Sequence, residues 1–96
     1  MITALVRIRA ESWEQFKSVH DRPHWQDRLK RAGNVSHVVL RQLDEQADVV
    51  FIDRWHFPQD ADDYYFSDAF SQEVGEMGGA IIEVIKLEAT DAAQTA

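Results

Sequence analysis

The chain has 96 residues, of which 45% are hydrophobic and 28% are charged, and it contains no cysteine. That length suits one domain with a single core, and the lack of cysteine excludes disulfides, thiolate nucleophiles and cysteine-ligated zinc. The formal net charge of −7 disfavours nucleic acid and anionic membranes as partners, because both are bound through clusters of Lys and Arg, and a cytoplasmic protein is the default expectation.

The first half of the chain predicts a strand followed by two helical pieces. Alternating apolar residues predict a strand over Ile2–Arg9. Ser12 is a suitable N-cap for a first helix. The inner face of this helix has the spacing i, i+3, i+7 and consists of Trp13, Phe16 and His20. Pro23 interrupts the helix, so a second piece is expected over His24–Ala32, closed by Gly33-Asn34.

The second half predicts two strands, one long helix and a last strand. The strands Val35–Leu43 and Ala47–Phe57 are joined by the acidic hairpin Asp44-Glu45-Gln46. A helix is expected over Asp60–Met77, with acidic residues in its first turn, where the helix dipole favours them. Ala80–Ala89 forms the last strand. The buried stripe of the long helix is expected to be Phe66, Phe70, Val74 and Met77.

The predicted order βαββαβ is that of a ferredoxin-like α+β fold, a four-stranded antiparallel sheet with its helices on one face. One domain is expected over residues 1–90, and residues 91–96 are expected to form a flexible C-terminal tail. The open sheet face is predicted to be largely apolar, which is a liability on a monomer. We therefore expect a homodimer, a dimeric α/β barrel with the two sheets packed face to face. The apolar residues assigned to the open face are Leu5, Val38, Leu40, Val50, Ile52, Ile82 and Val84.

Polar side chains interrupt the sheet face that is assigned to the helices. His37, Asp53 and Glu83 lie among aliphatic residues at alternate strand positions. His20 points toward the same layer from the first helix. A buried unpaired charge is costly, so these groups must pair with one another or line a wet cavity. One interpretation is a general acid/base site, in which a histidine is tuned by a carboxylate; the other is a satisfied polar core.

Aromatic residues are expected to shape a pocket in this layer for a flat, apolar ligand. By helical angle, Tyr65 flanks the buried stripe of the long helix, whereas Tyr64 points away from it unless it lies in a frayed first turn. Tyr65 therefore joins the two histidines, His20 and His37, and the carboxylate of Asp53 as a catalytic candidate. The residues predicted to bind substrate are Trp25, Trp55, Phe51, Glu83, Tyr64 and His24.

The histidines also allow a metal interpretation. His20 and His24 have the i, i+4 spacing that places two ligands on one face of a helix. Pro23 lies between them, however, and no glutamate follows His20 as it does in the zinc proteases. His56 belongs to the opposite sheet face. A metal site is therefore not expected.

One stretch resembles a known family. It consists of the strand Phe51-Ile52-Asp53-Arg54-Trp55, then Ala61–Tyr65, then Ser67-Asp68-Ala69-Phe70. An acidic residue and an aromatic on the third strand, followed by an aromatic before a Ser-x-x-Phe turn of helix, resemble the dimeric α/β-barrel superfamily. The similarity is greatest to its antibiotic biosynthesis monooxygenase (ABM)-like group, and it extends over residues 2–90.

The resemblance implies a homodimer with one pocket per subunit. It also implies an enzyme that oxidises polycyclic aromatic phenols with molecular oxygen and without flavin, metal or another cofactor. The recurrent catalytic set of the group is an asparagine on an early strand, a helix tryptophan, and an arginine or histidine. Here Arg7 stands at the first-strand position, Tyr64 or Tyr65 replaces the tryptophan, and no predicted strand carries an asparagine. Val74 occupies the position at which a haem-degrading branch has histidine, so haem degradation is disfavoured.

The predicted function is a small cofactor-independent enzyme that acts on an aromatic or polyketide-like small molecule, as an ABM-type monooxygenase. Two alternatives stay open. One is a cofactor-free cyclase or isomerase that uses histidine acid/base chemistry, and the other is a non-catalytic barrel that binds a small molecule. The expected partners are an aromatic ligand and a second copy of the chain, with neither nucleic acid nor membrane.

Overall fold

The strands pair into one antiparallel sheet that the helices cover on one face. A computed structural model describes residues 1–43 and 48–89, so the predicted hairpin at 44–46 and the predicted tail at 91–96 lie outside it. The elements in chain order are β1 (Ile2–Arg9), α1 (Trp13–His20), α2 (Pro23–Arg31), β2 (Asn34–Arg41), β3 (Asp48–Trp55), α3 (Pro58–Tyr65), α4 (Asp68–Glu76) and β4 (Ala80–Glu88). The strand order β2-β3-β1-β4 confirms the predicted ferredoxin-like α+β fold. No helix of the described ranges is long and apolar enough to cross a membrane.

Local sequence signals set the ends of the first three helices. The Ser12 hydroxyl accepts a hydrogen bond from the Gln15 N–H at 3.0 Å and caps α1, as predicted. Pro23 and Pro58 occupy the first positions of α2 and α3, where the missing N–H is not needed. Gly33 follows α2 with a φ of 105°, a left-handed conformation that glycine adopts without strain.

The prediction of one helix over Asp60–Met77 is wrong, because the chain forms two helices there. The Ser67 hydroxyl donates to the Tyr64 carbonyl oxygen at 2.7 Å and accepts from the Phe70 N–H at 3.1 Å. It therefore ends α3 and caps α4 at once. Helical periodicity alone does not reveal such a break, since both helices keep their apolar faces toward the sheet.

This break changes which aromatic residues are buried. Phe66, predicted in the buried stripe, is 73% exposed at the junction. Tyr64, predicted to point away, is buried together with Tyr65. The remaining members of the predicted stripe are buried as expected, namely Phe70, Val74 and Met77.

The core lies between the sheet and the helices. The inner face of the two central strands is the predicted one, with buried Ile2, Ala4, Val6 and Ile8 on β1 and Val49, Phe51, Asp53 and Trp55 on β3. The helices add the side chains of Phe16, Val19, Trp25, Leu29 and Phe70. Asp53 is thus a carboxylate in an otherwise apolar and aromatic layer.

Strand β4 contains a β-bulge that reverses part of its predicted face assignment. The pairing of Arg7 with Glu83 is followed directly by the pairing of Ile8 with Ile81. Ile82 is therefore an extra residue opposite β1, and every side chain after it changes face. The residues found on the open face instead of the helix side are Glu83, Ile85 and Leu87. Those found on the helix side are Val84, predicted on the open face, and Lys86.

The second strand begins at Asn34, so the expectation that no strand carries an asparagine is wrong. The Asn34 side-chain amide donates to the carbonyl oxygens of Ser36 and Arg54, at 3.0 and 3.2 Å. These bonds span the irregular pairing between residues 34 and 36 of β2 and the end of β3. This asparagine therefore stabilises the start of β2.

Candidate active site

Four elements bring polar side chains to one place between the sheet and the helices. Asp53 lies on β3, and His37 is directly opposite it on the edge strand β2. His20 is the last residue of α1, and Tyr65 is the last residue of α3. These are the four residues predicted as catalytic from the sequence. The structure brings them into contact, and their catalytic role stays a prediction.

A continuous series of hydrogen bonds, the relay, joins these side chains. His20 Nε2 and His37 Nε2 are 2.9 Å apart, and His37 Nδ1 lies 2.5 Å from Asp53 Oδ1. Tyr65 donates its hydroxyl proton to Asp53 Oδ2, and Trp55 Nε1 donates to the Tyr65 oxygen at 3.1 Å. Both oxygens of the buried carboxylate are thereby satisfied.

The outer end of the relay is Asp21, which sequence reasoning did not single out. His20 Nδ1 lies 3.2 Å from Asp21 Oδ1, and the Asp21 side chain is 57% exposed. The side chains of His20 and His37 are only 10% and 9% exposed, and Asp53 is fully buried. The relay therefore runs from the protein surface to the core. The sequence feature that could have predicted the role of Asp21 is its position directly after a histidine at the end of a helix.

Burial shifts the proton affinity of two groups in the relay. The pKa of His20 is lowered by desolvation, which outweighs the opposing effect of its bond to Asp21, and the neighbouring His37 lowers it further. The pKa of Tyr65 is raised far above its ordinary value by desolvation and then by the charge of Asp53. The Tyr65 hydroxyl is therefore a permanent donor near neutral pH.

Aromatic packing fixes the orientation of both imidazole rings. His20 stacks on Phe16, with ring centroids 5.0 Å apart, and lies edge to edge and nearly coplanar with His37, whose ring centroid is 5.2 Å away. The rings of Phe51 and His37 form a T-shaped contact at 4.8 Å. Held rings of this kind preserve the hydrogen-bond geometry of the relay, which is the requirement for efficient proton transfer.

The predicted substrate-binding aromatics contact this site from within the core. Trp25 lies 5.3 Å from His20 between ring centroids, and Trp55 and Phe51 touch the relay as described. All three side chains have at most 1% of their surface exposed. They pack the layer around the relay.

The other predicted substrate-binding residues lie elsewhere. The placement of Glu83 in the pocket is wrong, because the bulge at Ile82 puts it on the open sheet face opposite Arg7. His24 is exposed on α2, and it does not share a helix with His20, because α1 ends there. Tyr64 is buried against Phe70 and Trp55, with ring centroids 5.2 and 5.6 Å away, but its hydroxyl makes no hydrogen bond to the relay.

A second, partly buried polar cluster around Arg28 was not predicted from the sequence. The Arg28 guanidinium is paired with the carboxylate of Glu73 and lies over the Trp25 ring at 5.9 Å. Desolvation raises the pKa of Tyr64 to about 12, an effect that nearby Arg28 partly offsets. The buried polar atoms without a hydrogen-bond partner in the described ranges are Trp25 Nε1, Tyr64 Oη and Glu73 Oε2. Arg28 lies three residues after the buried Trp25, and Glu73 lies three residues after the buried Phe70. This helical spacing places each charged residue next to a buried aromatic and could have predicted the cluster.

A groove of about 370 Å³ opens beside this second cluster. Its lining residues are Arg28, Ala32, Asp60, Asp63, Tyr64, Ser67 and Ala69. None of the relay residues lines it. No three His, Asp or Glu side chains in the described part of the chain are arranged to hold a metal ion.

Comparison with known proteins gives a match in structure alone. No protein-family model matches the chain, and no curated protein matches it. A candidate antibiotic biosynthesis monooxygenase from Deinococcus radiodurans has a TM-score of 0.67 at 12% identity, covering 95% of this chain and 94% of its own. SnoaB, a cofactor-independent oxygenase from Streptomyces nogalater, has a TM-score of 0.63 at 18% identity, with 94% and 93% covered.

A dimeric ferredoxin-like protein from an uncultured marine organism also matches, with a TM-score of 0.64 at 14% identity over 95% of this chain and 96% of its own. The chain has the fold of these proteins. The structural similarity to ABM-like proteins that the sequence predicted is therefore confirmed, and at these identities it establishes the fold and no activity.

Proposed function

We propose that the chain is a cofactor-independent enzyme that removes a proton from a small aromatic, polyketide-like molecule, which then reacts with molecular oxygen as in an ABM-type monooxygenase. The observation that carries this proposal is the relay from Asp21 to Tyr65. For a substrate methylene the net reaction balances as CH2 + O2 → C=O + H2O. The proton that the enzyme takes up returns when water is lost. The fold shared with a cofactor-independent oxygenase supports the reaction class.

The nitrogen best placed to accept the proton is His20 Nδ1. His37 Nδ1 is engaged with Asp53, and the two Nε2 atoms engage each other. His20 Nδ1 alone among the four ring nitrogens faces an exposed group, Asp21. Burial lowers the pKa of His20 and so favours the neutral ring. In the neutral pair the bond from Nδ1 to Asp21 is released, and the Nδ1 lone pair is then available as a base.

Asp53 and Tyr65 act as positioning residues in this proposal. The Asp53 carboxylate orients the His37 ring and stabilises positive charge on the histidine pair. Tyr65 holds the second oxygen of that carboxylate through a hydroxyl whose raised pKa keeps it protonated. Neither group reaches solvent, since both side chains are buried.

Two other functions each have an observation in their favour. A cyclase or isomerase needs the same proton transfer without oxygen, returning the proton to a different atom of the substrate, and the relay serves it equally well. A non-catalytic binding protein is favoured by the groove of about 370 Å³ beside Arg28 and Tyr64, which none of the relay residues lines. These alternatives differ from the oxygenase in whether turnover needs oxygen and in whether turnover occurs.

We also propose a homodimer that packs the open sheet faces together. The register places on this face the side chains of Leu5, Val38, Leu40, Val50, Ile52, Ile85 and Leu87. Several of them are exposed in the single chain, for example Val38 at 48% and Leu40 at 49%. Burying such a patch against a copy of itself removes apolar area from water.

Oxygen uptake with a dihydroxyanthrone as the electron-rich substrate tests the oxygenase. Wild-type protein is expected to consume oxygen and form the quinone, whereas His20→Gln and His37→Gln lose at least about 100-fold of this rate. His24→Gln and His56→Gln are matched controls, because both histidines are exposed, and they are expected to retain wild-type activity.

The same samples without oxygen separate the alternatives. Anaerobic conversion to a rearranged or cyclised product that depends on His20 would replace the oxygenase with an isomerase or cyclase. If aromatic compounds bind tightly but are not converted with or without oxygen, the protein is a non-catalytic binding protein. Equal loss of activity in all four histidine variants would contradict a role for the relay.

A further inference from the structure

We infer that His20 and His37 act as one proton-binding unit, which holds a single excess proton between the carboxylates of Asp21 and Asp53. The inference concerns the ligand-free protein and does not depend on the proposed enzyme activity. It assigns Asp21 as a positioning residue and makes the pair, not either ring, the titrating group.

Counting protons along the relay leads to this conclusion. Three contacts join the two carboxylates through the two rings: Asp21 to His20 Nδ1, His20 Nε2 to His37 Nε2, and His37 Nδ1 to Asp53. A carboxylate only accepts, so each contact needs one hydrogen on a ring nitrogen. Two neutral imidazoles carry two such hydrogens in total. All three bonds can form only when the pair carries three, which is one net positive charge.

A second excess proton is excluded by the contact between the rings. The two Nε2 atoms are 2.9 Å apart, which leaves room for one hydrogen between them. Two imidazolium rings would place two hydrogens in that space and two like charges in contact. The pair therefore takes up one proton where two separate histidines would take up two.

The surrounding charges fit one positive charge held near Asp53. The charged and titratable groups that face the pair are Asp21 beyond α1, Lys17 on α1, Asp53 on β3 and Tyr65 on α3. The aromatic rings of Phe16, Trp25 and Phe51 also pack against the pair. Lys17 Nζ lies 3.7 Å from Asp21 Oδ2. Its positive charge therefore weakens the attraction between Asp21 and a proton on His20. Placed on His37, the excess proton leaves His20 neutral and still donating to Asp21.

Losing the excess proton breaks one specific bond. The inner contacts are 2.9 and 2.5 Å long, and the outer contact with Asp21 is 3.2 Å. The exposed Asp21 can turn to water without leaving a buried group unpaired. Deprotonation therefore frees the lone pair of His20 Nδ1 and keeps the other bonds.

The test is a titration of the full chain followed through the ring nitrogens by ¹⁵N NMR. His20 and His37 are expected to report one shared midpoint and the uptake of one proton between them, from about pH 9 down to about pH 5. His24 and His56 are exposed and lie outside the pair, so their rings serve as internal references for the ¹⁵N shifts. Two rings that both become doubly protonated in the folded protein would overturn the inference.

Three variants extend the test, and two of them leave the partners of the buried Asp53 carboxylate in place. Asp21→Asn is expected to weaken proton binding by the pair about tenfold, a shift of about one pH unit toward acid. Asp27→Asn removes the same charge from an exposed site on α2 and is expected to leave the midpoint in place. His37→Gln is expected to make His20 titrate as a separate group. An unchanged midpoint in Asp21→Asn would overturn the role of Asp21, whether or not the protein turns over any substrate.

Discussion

Adjacent tyrosines at the end of α3 have opposite roles in the structure. The Tyr65 hydroxyl donates to Asp53 and accepts from Trp55, whereas the Tyr64 hydroxyl is buried without a hydrogen-bond partner in the described ranges. A difference of one position along the helix thus separates a satisfied buried hydroxyl from an unsatisfied one. The contrast allows a controlled test of how much the relay stabilises the fold.

We expect Tyr65→Phe to lower the free energy of unfolding by about 1–3 kcal/mol, because it leaves Asp53 Oδ2 and the Trp55 N–H without partners. Tyr64→Phe removes a hydroxyl that bonds neither Asp53 nor Trp55 and has only Arg28 nearby, so it is expected to cost less stability than Tyr65→Phe. Urea unfolding of the two variants measures the difference. Equal destabilisation would contradict the assigned hydrogen bonds.

Stability should also depend on pH through the histidine pair. The pKa of His20 is lowered in the folded protein by burial, so the unfolded chain binds more protons than the folded one below about pH 6.5. The stabilising contribution is therefore fully present above that pH and is lost as the pH falls. Linkage of one proton bounds this loss at about 1.4 kcal/mol between about pH 7.5 and pH 5.5.

Urea titrations at the two pH values measure this loss directly. His20→Gln removes the group with the lowered pKa, and the pH dependence of its stability is expected to be much weaker. His24→Gln, an exposed control, is expected to retain the wild-type dependence. A stability that rises on acidification would contradict the account.

How far the sequence predicts the site differs between its residues. The alternation of β2 and β3 and the stripe of α1 were enough to bring His20, His37 and Asp53 into one layer, because each period fixes a face. Asp21 was missed because it follows the end of α1, where helical periodicity no longer predicts the direction of a side chain. Arg28 and Glu73 were missed because a partly buried ion pair between two helices leaves only two ordinary charged positions in the sequence.

At the level of elements, one serine divides the predicted long helix into α3 and α4. Ser67 bonds both the end of one helix and the start of the next. We expect Ser67→Ala to cost about 1 kcal/mol of stability through loss of the N-cap. Ser71→Ala, at an exposed position within α4, is the matched control and is expected to be neutral or slightly stabilising. Thermal unfolding of both variants decides whether the cap is formed.

The β-bulge in strand β4 could not be predicted from the alternation of apolar and polar residues. Its sequence alternates well enough to predict a strand, and the strand forms within one residue of the predicted bounds. The bulge at Ile82 nevertheless reverses the faces of the residues after it. A bulge depends on the pairing with β1, so it is a property of two strands together, and Glu83 was assigned to the wrong face for that reason.

For the whole molecule, the proposed dimer predicts that a charge on the open sheet face prevents dimerisation. Leu40→Lys introduces a charge into that face, where it would be buried in the interface, and is expected to yield monomers at micromolar concentration. Phe66→Lys places the same charge at an exposed position on the helix side and is expected to leave the dimer intact. Sedimentation velocity of both variants and the wild type measures the mass. A wild-type monomer, or a dimer that Leu40→Lys does not weaken, would contradict the proposed interface.

The central claim is that the histidine pair removes a proton from an aromatic substrate, and its most direct test excludes oxygen. The rate at which the methylene hydrogens of a dihydroxyanthrone exchange with D2O is measured anaerobically by ¹H NMR, with wild-type protein and with the variants His20→Gln, His37→Gln and His24→Gln. The account predicts that wild type and His24→Gln accelerate the exchange, and that the other two variants lose at least about 100-fold of the acceleration. No acceleration by the wild type, or full acceleration by His20→Gln, would contradict it.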